Sequence, residues 1–408
     1  MINAMSAVLA PLRRNLDALP SPDPDHPGLM LRDSFGYSER VLVIPPQLVR
    51  ALQFFDGSSS ENDLREFLVR ATGSFDVGQQ LQELQTVLSE SGFLEDPVYF
   101  ALRDAAHRRF AELIVRPPVF AGAAYPECPE DCRRFFDSFF EEVEGLPAPA
   151  GKVIGVAAPH VSFEGGPECY RDAFLALKEL GPDRTYIVLA TSHYGPPDKF
   201  AVTRKPYVTP YGETTPANDL LDELKALAPD ALAEEDFCQS MEHSAEFHVV
   251  WLQHLFGANI KVLPILVGSY AQSIYVDGQA PEAKASNAAL LEALRGLHEK
   301  YGDKLAWVLS IDMAHMGPRY DDDQAFQEGN AQIQRLDEGR ISDLSRGDID
   351  RFWRNVQVDQ DPWKWCGSAP LYTLFKSVPG VKAELLRYGQ WNIDEASVVS
   401  FAGMRFVL

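Results

Sequence analysis

An α/β fold is predicted for most of this 408-residue chain: a mostly parallel sheet flanked by helices, preceded by a small winged-helix-like domain. Three observations predict it. Short apolar runs (KVIGVAAP, TYIVLATS, KVLPILVG and LAWVLSID) recur along the C-terminal part and alternate with amphipathic stretches. Those runs are continuously apolar, as in strands buried on both faces. Nearer the N-terminus the pattern changes to an alternating hairpin followed by short amphipathic helices.

Taken in order, residues 1–27 carry no periodicity and end in the turn-rich SPDPDHPG, so they are expected to be a flexible segment. Residues 28–97 form the winged-helix-like unit. LMLRDSFGYSERVLVIP alternates apolar and polar residues around a Gly-containing break, as a β-hairpin does. Pro45 and Pro46 open a helix with Leu48, Leu52 and Phe55 on one face, and Gly57 ends it. Ser60, with Asp63 three residues on, caps SENDLREFLVRATG. Leu81, Leu84 and Leu88 form the apolar stripe of a third helix. Residues 98–116 read as a linker helix stopped by Pro117 and Pro118. The α/β domain occupies 117–408, with helices in CRRFFDSFFEEV, YRDAFLALKEL, PANDLLDELKAL, AEFHVVWLQHLF, SNAALLEALRGLHEKY and LYTLFKSV.

Composition narrows the function. The formal charge is −22, from 37 basic and 59 acidic residues, and no basic cluster offsets it, so nucleic acid is excluded as a partner. The N-terminal apolar stretch is broken by Pro11 and precedes Arg13 and Arg14, the reverse of a secretory signal. No apolar run approaches the ~20 residues of a membrane span. A cytoplasmic protein with no membrane partner is expected. Five cysteines in a long chain of that kind argue against a disulfide framework.

The chemistry gathers where strands end. His160 follows the first apolar run, His193 the second, and Asp312 the fourth, with His315 three residues on. Ligands of open α/β sheets bind at the carboxyl ends of the strands, so these residues are expected to converge. Any one histidine after a strand would more often be structural. Glu242, His243 and Glu246 open a helix; capping explains the two glutamates, but a cation is disfavoured there, which singles out His243. His248 and His254 fall on later turns and read as structural or surface residues. Cys366 opens another helix, where thiolate character is enhanced; the plainer alternative is a small buried hydrophobe. Thiolate with imidazole suits copper, zinc or iron. Cys128 and Cys132 share a helix face without nearby histidines, and Cys169 and Cys238 read as packing residues.

The ordered set AAYPECPEDCRRFFDSFF, AAPHVSFEGGPECYRDAF, TSHYGP, VTPYGE, MEHSAEFHVVWLQHLF, LPILVG, SIDMAHMGPRY, WCGSAPLYTLF and LLRYGQ resembles the Memo family, called AmmeMemoRadiSam system protein B in bacteria. The resemblance implies a fold similar to the class III extradiol dioxygenases of the LigB type. It implies His160, His193 and Cys366 as metal ligands, for iron or copper with zinc as a further option. It places Asp312, His315, Glu242 and His243 beside the metal as catalytic or substrate-binding groups. Val161-Ser162-Phe163 and Ile311 depart from the family pattern, Phe163 removing a tyrosine hydroxyl. GLMLRD, IPP, FFDGSSS and SGFLED resemble the PqqD-like leader-peptide-binding domains, against a generic helical cap as the alternative. The two resemblances imply a radical SAM protein and an AMMECR1-like protein as partners and a peptide or protein as substrate. Two functions follow: a metal-dependent, dioxygenase-like redox enzyme, with His315 as general acid/base oriented by Asp312, or a non-catalytic metal-carrying or peptide-binding module.

Overall fold

The structure is a computed structural model that describes residues 7–141 and 145–408. The start of the N-terminal apolar stretch and the last two residues of the helix predicted in CRRFFDSFFEEV lie outside the described residues. The chain divides between Glu112 and Leu113 into two compact units.

In the first unit, β1 (Leu16–Pro20), β2 (Leu29–Asp33) and β3 (Val41–Ile44) form an antiparallel sheet in the order β1-β2-β3, so the hairpin at 29–45 is present. The helix expected after Pro45 is one turn of α-helix, α1 (Pro46–Val49), continued as a 3-10 turn over Arg50–Phe54. Ser60 and Asp63 cap α2 (Glu61–Thr72) reciprocally, and left-handed Gly73 closes it. Helix α3 (Gly78–Glu90) buries Leu81, Leu84 and Leu88 against Leu31, Ile44 and Phe93.

Two sequence expectations change here. Residues 1–27 are not a featureless segment. β1 pairs with β2, and buried Arg13 grips Asp33 with two hydrogen bonds of 3.0 and 2.8 Å. Prolines 11 and 20 obscure the strand between them. The helix expected as a linker, α4 (Pro97–Glu112), belongs to the first unit: it buries Ala106 and Phe110, and Tyr37 meets His107 at 3.3 Å.

The second unit is built on a nine-stranded sheet. Its elements in chain order are α5 (Pro129–Ser138), β4 (Val153–Ala158), α6 (Pro167–Leu177), β5 (Thr185–Thr191) and β6 (Phe200–Val202). A small hairpin of β7 (Val208–Thr209) and β8 (Gly212–Glu213) follows, then β9 (Thr215–Pro216), α7 (Asn218–Leu227), α8 (His243–Phe256) and β10 (Lys261–Val267). The remainder comprises α9 (Ala285–Tyr301), β11 (Leu305–Ser310), β12 (His315–Met316), α10 (Ala331–Ser345), α11 (Ile349–Gln357), α12 (Ser368–Ser377), β13 (Lys382–Asn392) and β14 (Val398–Val407). The main path runs β12-β14-β4-β11-β5-β10-β6, with β13 on β14 and β9 on β10.

The centre, β4-β11-β5-β10, is parallel, as is β9 on β10; β14 pairs antiparallel with β4, β12 and β13, and β6 with β10. The sheet is therefore mixed rather than mostly parallel. The apolar run VVSFAGMRFV, buried throughout, supplies the antiparallel strand. Alternate residues of β5, β10 and β11 enter different cores. Ile187 and Leu189 join one with Trp307 and Leu294; Tyr186 and Val188 join the other with Phe174 and Trp251. Both faces are covered, which accounts for the unbroken apolar runs. No helix among the described residues is long and apolar enough to cross a membrane.

Candidate metal centre

The parallel strands β4, β5 and β11 end at one edge, and the chain leaves each through Pro159-His160, Ser192-His193 and Ile311-Asp312. Cys366 reaches the same edge just before α12. One donor atom from each of His160, His193 and Cys366 lies within 4.8 Å of the other two. Cys366 Sγ is 3.3 Å from His160 Nε2, and the His160 and His193 rings cross at 89° with centroids 5.1 Å apart.

Each imidazole is held by its other nitrogen. His160 Nδ1 meets Ser310 Oγ at 3.1 Å, and its backbone N–H donates to Asp312 Oδ1 at 3.0 Å. His193 Nδ1 donates to Glu242 Oε1 and its backbone N–H to Oε2, both at 2.8 Å. Neither Nε2 atom is used in these contacts. Tetrahedral coordination at zinc-like bond lengths separates an N from an S donor by about 3.5–3.6 Å, so the His160–Cys366 pair at 3.3 Å needs to open only slightly to hold a transition ion.

Glu242 is fully buried and is the N-cap of α8, accepting also from Ser244 N–H at 3.2 Å and Ser244 Oγ at 2.9 Å. Capping and histidine orientation are thus one role. Burial would raise its carboxyl, but the His193 imidazole beside it holds it down at about 2. In return, although burial opposes it, the Glu242 carboxylate raises His193 well above the usual histidine range. His160, desolvated and surrounded by other imidazoles, is driven far the other way and stays neutral. Both oxygens of the Glu242 carboxylate already accept hydrogen bonds, two of them from His193, so the neighbouring grouping of His193, Glu242 and His243 is better understood as orienting His193. His243 stacks on His193 at 4.7 Å and 27°, and burial lowers it to about 4.

Asp312 lies against His160, with Oδ2 3.5 Å from Nε2, and burial pushes its carboxyl up to about 7. His315 is partly buried, and burial lowers it to about 4. Its Nδ1 faces the carbonyls of Met313 at 2.9 Å and Lys364 at 3.0 Å. Backbone carbonyls, not Asp312, therefore orient His315, because both Asp312 oxygens are turned to His160. The helix-start argument for Cys366 also fails: α12 begins two residues later, and burial pushes the thiol up.

Other predicted residues fall elsewhere. Glu246 is turned away from the site: it pairs with buried Arg116 and accepts from Tyr125, Val119 N–H and Phe120 N–H. Arg116 also donates to the carbonyls of Gln239 and Glu242, fixing the loop that presents Glu242. Sequence reasoning passed over Arg116. Arg116→Met is expected to destabilise the fold by about 3–5 kcal/mol, because it strands a buried carboxylate; thermal and urea unfolding of the full chain measure it. His248 is fully buried between the carbonyls of Ser244 and Ala158. His254 packs with Phe136 and Phe140. Cys132, Cys169 and Cys238 are buried in apolar cores, while Cys128 is exposed. Phe163 lies 1% exposed in an aromatic cluster with Phe136, Tyr170 and Phe247, not on an open wall.

Fold and site together define a class, an α/β protein whose sheet edge carries a compact His-His-Cys donor cluster. The family model described as Memo-like protein matches residues 116–405, and the chain belongs to the Memo family. A MEMO1 family protein of Aquifex aeolicus (strain VF5) is 24% identical over 381 residues, covering 92% of this chain and 95% of the relative. MEMO1 family protein TTHA0924 of Thermus thermophilus is 26% identical over 287 residues, 70% of this chain and 80% of its own. A MEMO1 family protein of Methanococcoides burtonii is 26% identical over 278 residues, 67% and 92% of the two chains. The second unit holds 296 residues (408 − 112), so the Aquifex match extends into the first unit as well.

Proposed function

We propose that the Memo-like unit binds copper or iron, with zinc as a further option, through His160 Nε2, His193 Nε2 and Cys366 Sγ, and works as a metal-dependent redox enzyme of dioxygenase-like type. The observation that carries this is the pairing of both Nδ1 atoms with Ser310 and Glu242, with His160 Nε2 3.3 Å from the thiol and a His193 donor atom within 4.8 Å of both. Such an ion would supply one-electron chemistry and Lewis acidity at a coordination position not taken by protein. The chain's own residues would handle protons. His315 has its Nδ1 committed to carbonyls, so Nε2 is its proton-accepting atom. Asp312, pushed up to about 7, can hold or release a proton near neutrality. His243, low and neutral beside His193, would accept or shuttle one.

The test is anaerobic titration of copper(I) and iron(II) into the wild type, His160→Ala and His193→Ala. Each variant is expected to lose at least about tenfold in affinity, ~1.4 kcal/mol; parental affinity in both ends the metal reading. The part-exposed His193 side chain also favours a second reading, a carrier that hands metal on. Oxygen uptake that depends on an added peptide substrate separates enzyme from carrier.

The first unit would recruit the peptide or a radical SAM or AMMECR1-like partner, in the PqqD-like manner. β3 pairs only with β2 among the described residues and exposes Val41 and Val43, so an extended peptide could add to its free edge. Removing residues 1–112 is expected to leave metal binding and abolish partner capture; undiminished capture by the truncated chain counts against recruitment.

A further inference from the structure

Six non-glycine residues among those described have left-handed backbone, and four of them fall in one segment: Asp359 (φ 50°), Gln360 (φ 61°), Asp361 (φ 53°) and Lys364 (φ 53°). That conformation is unfavourable for any residue carrying a Cβ, so several in succession persist only where contacts impose them. The segment leads directly into Cys366. It also supplies the Trp363 carbonyl that accepts from His315 N–H at 2.9 Å and the Lys364 carbonyl that faces His315 Nδ1 at 3.0 Å. One turn thus sets both the thiol and the tautomer of His315.

What holds the turn is a buried acid. Asp361 accepts from Arg340 Nη2 at 2.8 Å through Oδ1 and from Trp365 N–H at 2.9 Å through Oδ2, while its carbonyl accepts from Lys364 N–H at 3.0 Å. Arg340 comes from α10, and its guanidinium lies over the Trp365 ring, 5.1 Å from the centroid. Trp365 in turn donates its indole N–H to Asp337 at 2.8 Å. A buried ion pair of this kind adds little stability compared with apolar residues of similar volume. Its contribution here lies in where it aims the chain.

We infer that Asp361, clamped by Arg340, is a positioning residue that holds the 359–364 turn so that the Cys366 thiol and the His315 imidazole face His160 and His193 together. This rests on the metal-site reading above. The experiment uses the full chain and three variants: Asp361→Asn, Asp361→Gly, and Asp361→Gly combined with Arg340→Met. Glycine tolerates the left-handed turn but removes both side-chain contacts. Asparagine tolerates it too and keeps one acceptor. Adding Arg340→Met avoids an unpaired buried charge. Three quantities are read: copper(I) affinity by chelator competition, the alkylation rate of Cys366 in metal-free protein by peptide mass spectrometry, and the melting temperature.

Expected are a copper(I) affinity lower by about 10–100-fold in both glycine variants, as for residues that orient ligands, and alkylation of Cys366 faster by about tenfold as the turn opens. Asp361→Asn is expected to fall between these and the wild type. A folded glycine variant with affinity within about twofold of the wild type and unchanged alkylation overturns the proposal. Should neither glycine variant fold, parental values in Asp361→Asn overturn it. Should the wild type bind no copper(I), the metal reading fails by itself and the alkylation rate alone decides the positioning role.

Discussion

Cys366→Ser is expected to lower copper(I) affinity by about a hundredfold or more, ~2.8 kcal/mol at 1.4 kcal/mol per tenfold, and iron(II) affinity by about tenfold. The asymmetry follows from ligand chemistry. A thiolate is soft and polarizable, which suits copper(I), whereas a serine oxygen is hard and stays protonated near neutrality. Iron(II) depends less on sulfur and more on the two imidazoles, which the substitution leaves in place against Ser310 and Glu242. Cys366 is only partly buried, and its thiol meets His160 Nε2 and the Asp312 carbonyl at 3.3 and 3.5 Å, contacts a hydroxyl can also make. The change in fold stability should stay within about 1 kcal/mol, so a loss of binding would not be a loss of folding. Chelator competition with both metals under anaerobic conditions measures the effect. Equal losses for the two metals would show that sulfur softness plays no part, and no loss for either would remove Cys366 from the ligand set.

Much of the site was legible because its residues sit where a sequence pattern changes. His160, His193 and Asp312 each end an unbroken apolar run, and the position of ligands at strand carboxyl ends follows from α/β topology. Cys366 was legible by its neighbours, a Trp-Cys-Gly break before an apolar helix. What turns these residues into a site was not legible. Ser310 and Glu242 touch the two imidazoles from 150 and 49 residues away in sequence, and Arg116 fixes the Glu242 loop from 126 residues away. No local spacing encodes such contacts. The orientation of His315 comes from two carbonyls, which carry no side-chain signature at all. The left-handed turn at 359–364 gave no warning either, since Asp and Gln commonly occupy ordinary turns.

The fold shows the same division. Parallel strands and their helices were visible in hydrophobic periodicity, but β14 was missed because a run buried on both faces does not reveal its direction. Its antiparallel placement beside β4 makes the sheet mixed and brings β12, with His315, onto the same sheet as His160. β1 was hidden for a different reason. Its strand is short, flanked by proline and held by Arg13 to Asp33, a contact between charged residues 20 positions apart.

Glu242→Gln, conventionally a conservative change, is expected to lower metal affinity by about 10–100-fold and to destabilise the fold. Three groups around this carboxylate can only donate, the His193 backbone N–H, His193 Nδ1–H and the Ser244 backbone N–H, while the Ser244 hydroxyl shares its one proton between Glu242 and the Thr191 carbonyl at 2.7 Å. A carboxylate has lone pairs for all of them; a glutamine amide has one oxygen and an NH2 that can only donate. Placing the amide oxygen where Oε1 lies keeps three contacts and sets the NH2 against the His193 backbone N–H. The opposite flip sets it against His193 Nδ1–H and the Ser244 backbone N–H. Either way a buried donor is left unpaired, which costs about 1–3 kcal/mol. The larger consequence is at the ring. With the negative charge gone, His193 loses the partner that fixes a proton on Nδ1 and raises the basicity of Nε2, so the ring can turn or change tautomer. With copper(I) bound, so that Nε2 carries no proton, nitrogen NMR of labelled histidine is expected to show His193 protonated at Nδ1 in the wild type and mixed in the variant, alongside the fall in copper(I) affinity. A variant that keeps a single Nδ1–H tautomer and parental affinity would show that the carboxylate serves only to cap α8.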